Sequence, residues 1–511
     1  MLSPNEIKTE QPQLTITELL GPYSPPETTF LDRLQYWAAA RTDDLAYRFI
    51  DWTEDKIFET TYAQLDQRAR AIAVHLVSRG LQGKSALMMY PPGLDFVEAL
   101  YGCYYAGVVP VPAYPPRRNR NMNRISAISE DAQAAAILTN DEVIRRSEPM
   151  LADTPALRRV SWIATELVRN EWADDWTKPA SNPQDIGLIQ YTSGSTGSPK
   201  GVVLTQQNLV ANCRMISTAF QVNYEDSGAN WLPFYHDMGL IGGILNPMFV
   251  GMASTLMSPI AFLTKPVRWL ETISRFRATT CGGPNFAFAL CTEKVTHEQC
   301  EGLDLSCWDL AFNGAEPVRA STLEAFSRKF EPYGFRHTAH YPCYGMAEAS
   351  LIVTGGIKGE EPIIRTFDRQ KLTEHKVVQV PEDSSRAQRM VGCGRVLEGE
   401  TLVIVHPEKF YPLPEGEIGE IWISSPSVGK GYWNKREETQ RTFRATLAMY
   451  PDKFFLRSGD LGFINRGELF VTGRLKDMII IRGVNRYQLF RSSDAAMVPG
   501  RSRVTSSRCP L

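Results

Sequence analysis

The densest run of chemistry-bearing residues is Tyr191-Thr-Ser-Gly-Ser-Thr-Gly-Ser-Pro-Lys-Gly201. Gly194 and Gly197 let backbone N–H groups approach an anion. The hydroxyls of Thr192, Ser193, Ser195 and Thr196 add donors, and Lys200 adds a positive charge. Residues of these types at this density make a phosphate grip. It is not the GxxxxGK loop that ends in Ser or Thr, because Gly201 follows Lys200 and Pro199 obstructs an immediate helix start. A flexible Gly/Ser surface loop is the plainer reading; the hydroxyl density and the Pro-Lys-Gly ending weigh against it. A second constellation, His337 and His340, has a spacing that can suggest metal ligation, yet no cysteine or carboxylate stands at a suitable spacing beside it, and no metal site is expected there.

The loop needs a frame. Residues 62–79 place apolar side chains at three- and four-residue intervals, as a one-sided helix does, with Gly80 as its stop. The run 85–90 reads as a short strand, 94–105 as a helix and 108–111 as a strand cut off by the proline-rich segment 110–116. Such alternation predicts sheets covered by helices. A polar, Pro-containing connection at 178–185 precedes an apolar strand at 186–191 that delivers the chain into the loop. From about Gly392 the texture becomes β-rich, with short runs separated by Gly and Pro, as in a small barrel or twisted sheet. The expected division is 1–185 and 186–390 as two α/β subdomains, 391–475 as a β-rich subdomain, and 476–511 as a hinge remnant and atypical tail.

Bulk properties exclude several function classes. A chain of 511 residues exceeds a single hydrophobic core. A formal net charge of −2 gives no electrostatic reason to expect nucleic acid as a partner. The nine cysteines are scattered with no CxxC pair, which fits a reducing cytoplasm. No apolar stretch is long enough to span a membrane, and no secretory leader is visible at the N-terminus.

Together with three motifs nearer the C-terminus, the loop resembles the signature of the adenylate-forming (acyl-activating) superfamily. Tyr344-Gly-Met-Ala-Glu348 is similar to that family's aromatic-Gly-x-x-Glu motif, Ser458-Gly-Asp460 to its ribose-binding aspartate motif, and Gly473-Arg-Leu-Lys-Asp477 to its hinge motif. Each is weak alone; in order along the chain they are mutually supporting. The stretches 90–96, 111–118 and 231–240 resemble the fatty acyl-AMP ligase branch, as does the charged segment at about 357–390. That segment is similar to the insertion that separates acyl-AMP ligases from acyl-CoA synthetases and is thought to disfavour coenzyme A as acceptor. An idle surface excursion is the alternative.

The resemblance implies an α/β fold made of the large N-terminal part of such an enzyme, with two helix-flanked sheets and a small β-barrel-like subdomain. It implies ATP and Mg²⁺ as cofactors, a medium- or long-chain fatty acid as substrate, and the phosphopantetheine arm of an acyl carrier protein as acceptor. By the same resemblance Glu348 would hold the metal and Asp460 would accept hydrogen bonds from the ribose hydroxyls. Arg474 would touch ribose or phosphate, and Lys476 would fall at the hinge, with an ordinary solvated lysine as the alternative. The loop Asn313-Gly-Ala-Glu-Pro317 would lie along the adenine through Gly314, Ala315 and Glu316, backed by Tyr344, Gly345 and Met346. His236, beside Asp237, is expected to line the site, with a hydrogen-bonded structural histidine as the other reading. The run 238–252 is either an acyl-tunnel wall or core. After Tyr487 the family pattern is no longer matched, and neither is the late lysine of the family's C-terminal domain. Loss of one such electrostatic donor costs about 10²- to 10³-fold in rate, so slow adenylation is the expectation, with an acyl-CoA synthetase or a non-catalytic nucleotide-binding fragment as the alternatives.

Overall fold

The computed structural model describes residues 14–116, 122–192, 199–477, 479–481 and 484–486. Ser193, Gly194, Ser195, Thr196 and Gly197 lie outside the described residues, as does everything after Arg486.

Local signals become elements much where the sequence puts them. Thr61 and Gln64 close a reciprocal capping box on the helix Tyr62–Ser78, and the chain leaves that helix through Gly80 at φ +68°. The helix Leu94–Ala106 crosses between strands Ser85–Met88 and Val109–Pro112, which pair in parallel. Ala136–Thr139 and Ser161–Ala164 complete this four-stranded sheet.

The larger sheet has nine strands. Its order is Arg395–Val396, Ile352–Gly355, His340–Gly345, Leu310–Asn313, Thr280–Gly283, Ser227–Asn230, Ala253–Met257, Leu45–Asp51 and Lys56–Thr61. The central pairs are parallel and the pairs at both margins antiparallel. A tryptophan-rich core underlies it, with Trp231, Trp269 and Trp308 fully buried and Trp269 edge-on to both of the others.

The β-rich region is an open antiparallel sheet. Thr401–Val405, Gly419–Ser424, Tyr450–Asn465 and Ala445–Leu447 follow in order, and Glu468–Arg474 also pairs with the long strand Tyr450–Asn465. The barrel-like expectation is thereby corrected: among the described residues this sheet does not close on itself. The outer strands are the short Ala445–Leu447 and Thr401–Val405, and they do not pair with each other.

The segment expected as an insertion folds into an antiparallel pair, Ile364–Asp368 with Ala387–Val391. It is docked on two sides. Phe367 packs edge-on against Phe463 and Phe470 of the β-rich sheet, while Arg389 pairs at 2.5 Å with Glu324 on the helix Ala320–Phe330. Among the described residues, no helix is long and apolar enough to cross a membrane.

Candidate functional site: a polar rim over an apolar cavity

Strand Ile186–Thr192 turns back antiparallel into Lys200–Thr205, with Thr192 opposite Lys200. That pairing is why Lys200 opens a strand rather than a helix. Gly201 is required by close approach: a Cβ there would stand 2.9 Å from the Tyr191 ring and 2.6 Å from Ile189. The Tyr191 hydroxyl donates to Asp131 at 2.6 Å and ties the hairpin to the neighbouring helix Asn123–Asp131.

The hairpin borders a cavity of about 1080 Å³ that gathers most of the residues singled out by sequence. Thr192, Lys200, His236, Gly314, Ala315 and Glu348 all line it, as do Tyr344, Gly345, Met346 and Arg474. Gly314 and Ala315 follow the strand Leu310–Asn313, and Tyr344-Gly345 ends the strand His340–Gly345. Their loops thus emerge at the carboxyl ends of parallel strands, where open α/β sheets bind ligands. Asp460 lies buried behind Tyr344, taking that phenol's hydrogen at 2.8 Å and the Arg474 guanidinium at 3.2 Å. Glu316 is placed differently. Its carboxylate accepts from the Phe286 N–H at 2.5 Å, at the start of the helix Asn285–Lys294, and it does not line the cavity.

Three residues with no motif of their own, Tyr432, Glu438 and Glu420, brace the rim. Gly431-Tyr432 adds a short strand to the outer side of Lys200–Thr205 and brings the Tyr432 hydroxyl to Glu348 Oε1 at 2.9 Å. The face of the same ring lies 5.1 Å below the Lys200 ammonium. That ammonium also pairs with Glu438 on the helix Arg436–Phe443. Glu420 is buried and holds Arg457 through its Nη2 at 2.9 Å, and accepts the Gly459 N–H at 3.2 Å. Gly459 sits at φ +71°, the left-handed turn that lets the chain present Asp460. The clue to Glu420 was available in sequence: it is the one charged side chain in the apolar strand Gly419–Ser424.

Burial raises the Glu348 carboxyl above its ordinary range. The Tyr432 hydroxyl opposes that rise, and the carboxylates of Asp237 and Asp460 add to it. Such a desolvated acidic corner suits a hard divalent cation, which takes one or two carboxylates and completes its shell from substrate phosphates and water. Burial raises Asp460 as well, against the pull of Arg474 and Tyr344. The His236 ring lines the cavity and its Nδ1 meets Asp237 at 2.6 Å, a carboxylate that lifts the imidazole pKa. Asp237 in turn accepts the Met238 N–H at 2.7 Å, capping the next helix. Lys476 is exposed at the rim.

Below the rim the cavity turns apolar. Met238–Leu245 is wound as a π-helix, whose widened i→i+5 turns set lining positions four to five residues apart. Met238, Gly242, Gly243, Asn246 and Pro247 face the cavity, while Leu240, Ile241, Ile244 and Leu245 fill the core. The run is thus divided between cavity lining and core. Phe220, Phe312 and Met252 add to the apolar lining. His337 and His340 lie elsewhere, sharing the Ser327 hydroxyl at 2.8 and 3.1 Å, and burial pushes His340 down to about 3. No cluster of metal-ligating side chains occurs among the described residues.

Fold and site together define an α/β protein with an ionic rim above an apolar tunnel. The model of the AMP-binding enzyme family matches residues 34–433. The medium-chain-fatty-acid–acyl-carrier-protein ligase JamA of Moorena producens (strain JHB) is 43% identical over 471 residues, which cover 91% of this chain and 80% of JamA. The long-chain-fatty-acid–AMP ligase FadD32 of Mycolicibacterium smegmatis is 36% identical over 482 residues, covering 91% and 76%. Among solved structures, the fatty acyl-adenylate ligase of L. pneumophila in complex with acyl adenylate and pyrophosphate matches with a TM-score of 0.83 at 38% identity, over 88% of this chain and 77% of that one. The chain belongs to the AMP-binding enzyme family.

Proposed function

We propose that this protein activates a medium- or long-chain fatty acid with Mg-ATP, giving acyl-AMP and pyrophosphate, for transfer to the phosphopantetheine arm of an acyl carrier protein. The observation that carries the reading is the union, in one cavity, of an ionic rim built from Lys200, Glu348 and Arg474 with an apolar interior. The relatives named for medium- and long-chain fatty acids support the substrate class, and JamA's name supports the acceptor.

The nucleophile is already a carboxylate, so the chemistry needs no general base. It needs two anions brought together, and unit charges 4 Å apart repel by about 4 kcal/mol at an effective dielectric of 20. Lys200, seated over Tyr432 and paired with Glu438, exchanges that carboxylate for phosphate oxygens. Glu348 would hold Mg²⁺, which when bound supplies charge neutralisation on the phosphates. Asp460 and Arg474 receive the ribose, and Gly314-Ala315 with Tyr344 receive the base. Met238, Gly242 and Gly243 border the acyl chain, where each buried methylene contributes roughly 0.8 kcal/mol.

The docked segment Ile364–Asp368 and Ala387–Val391 favours carrier-protein transfer over thioester formation with coenzyme A. It ties the helix Ala320–Phe330 to the β-rich sheet and sets the helix Arg369–Thr373 against the strand Val484–Arg486. The test is pyrophosphate release with lauric acid and Mg-ATP, with coenzyme A added in a second arm. Release without an acyl-CoA product is expected, and Glu348→Gln should abolish the Mg-dependent rate. A rate independent of the acid, or efficient acyl-CoA formation, would overturn the assignment.

A further inference from the structure

The deep end of the cavity is not uniformly apolar. Thr280 opens the strand Thr280–Gly283 and is in register with Gly228, which is in register with Ser254 on the other side. Register partners in neighbouring parallel strands face the same way, and all three line the cavity. They form a cross-strand row, with glycine in the middle leaving room for a ligand to come down onto it. The Ser254 hydroxyl is satisfied by the Gly243 carbonyl at 2.9 Å. Thr280 is not: it is 6% exposed, and its Oγ1 is buried with no hydrogen-bond partner.

A second polar group faces the same cavity from the helix side. Asn246 is 2% exposed and touches the Ser217 hydroxyl at 3.0 Å, while Ser217 also reaches the Cys213 carbonyl at 2.8 Å. One hydroxyl hydrogen cannot serve both. Asn246 faces the cavity with one polar atom of its amide engaged by Ser217. The chain runs from Met238 at the rim down to Val250 and returns as the strand Ala253–Met257, so Asn246 lies toward the floor. At about 3.3 Å per residue, the Thr280 row is about 10 Å below the carboxyl ends of the strands, where the ionic rim stands.

An unpaired buried hydroxyl in an otherwise apolar stretch of the cavity is costly unless a ligand satisfies it. We propose that the acid this enzyme prefers carries a hydroxyl toward its far end, held by Thr280 and Asn246. A hydroxyl both donates and accepts, so it suits either orientation of the amide. The inference rests on the ligase reading and narrows its substrate from a plain fatty acid to a distally hydroxylated one.

The test compares kcat/KM for pyrophosphate release across matched straight-chain acids from octanoic to hexadecanoic, each with and without a terminal hydroxyl. At one chain length the hydroxylated acid should win by about 3- to 10-fold, the discrimination one net hydrogen bond supplies. Thr280→Val should reverse that preference by a similar factor, and Thr280→Ser should keep it. Two results would overturn the inference. One is a preference for the unsubstituted acid at every length. The other is a ratio unmoved in Thr280→Val, as when a trapped water satisfies the hydroxyl. Either leaves the ligase reading standing. Release with no acid of either kind sinks the ligase reading, and this inference with it.

Discussion

Replacing Tyr432 by Phe isolates one bond in the site. The ring stays, and with it the seat for Lys200 at 5.1 Å and the edge-on packing against Phe443 at 5.0 Å. What goes is the hydroxyl that donates to Glu348 Oε1 at 2.9 Å. Burial raises the Glu348 carboxyl, and this hydroxyl is the leading interaction that lowers it, by stabilising the charged form. A hydrogen bond to a charged group is worth about 1.5–3 kcal/mol, and one pKa unit is 1.36 kcal/mol, so its loss raises the pKa by about one to two units. The lower end applies here, because Glu348 keeps its backbone hydrogen bond, which still favours the charged form. Since only the carboxylate can hold a cation, activity is lost as pH falls through this pKa. The acid limb of kcat/KM for ATP should therefore lie above the ordinary carboxylate range in the parent protein. It should move about one unit further up in Tyr432→Phe, with kcat near pH 8 changed far less. The assay is pyrophosphate release across pH at subsaturating Mg-ATP, since saturating metal competes with the proton and draws the limb back down. A limb that stays put, or moves to lower pH, would refute the link between Tyr432 and Glu348.

Two neighbouring glycines should respond in opposite ways. A Cβ on Gly242 meets only Leu351 at 3.5 Å, so Gly242→Phe fits the fold and fills cavity. Rates with long acids should drop about 30- to 100-fold, the equivalent of three methylenes excluded, while medium acids are spared. A Cβ on Gly243 would stand 1.8 Å from Asn230 Nδ2, so Gly243→Ala should lower the melting temperature and activity on all chain lengths alike. Elsewhere, burial raises Glu468 to about 7 while its carboxylate accepts the Gly394 N–H at 2.7 Å. Its folded pKa exceeds the unfolded value of about 4.3, so the native state binds the extra proton between those values. Stability should fall by up to about 3 kcal/mol as pH rises from 4.5 to 7.5, and Glu468→Gln should flatten that slope in denaturant melts.

What depends on neighbours along the chain could be read before any fold was known. The helix Tyr62–Ser78 was legible because its period and its Gly80 exit are both local. The strand Ile186–Thr192 and the order of the motifs were legible for the same reason, as was the change to β texture near Gly392. Which distant pieces meet could not be read that way, because it is settled by packing across the fold. Nothing near Leu45–Asp51 says that it will pair in parallel with Ala253–Met257, since such register is set by burial on both faces of the sheet. The same holds for Tyr432 reaching Glu348, for Glu438 pairing with Lys200, and for Glu420 bracing the turn before Asp460. A tyrosine or glutamate carries no sign of its partner when the two are tens of residues apart. The open β-rich sheet in place of a barrel, and the π-turns that divide Met238–Leu245 between core and cavity, have one cause in common. Short apolar runs fix which residues are buried, while pairing and packing across the whole fold fix against what.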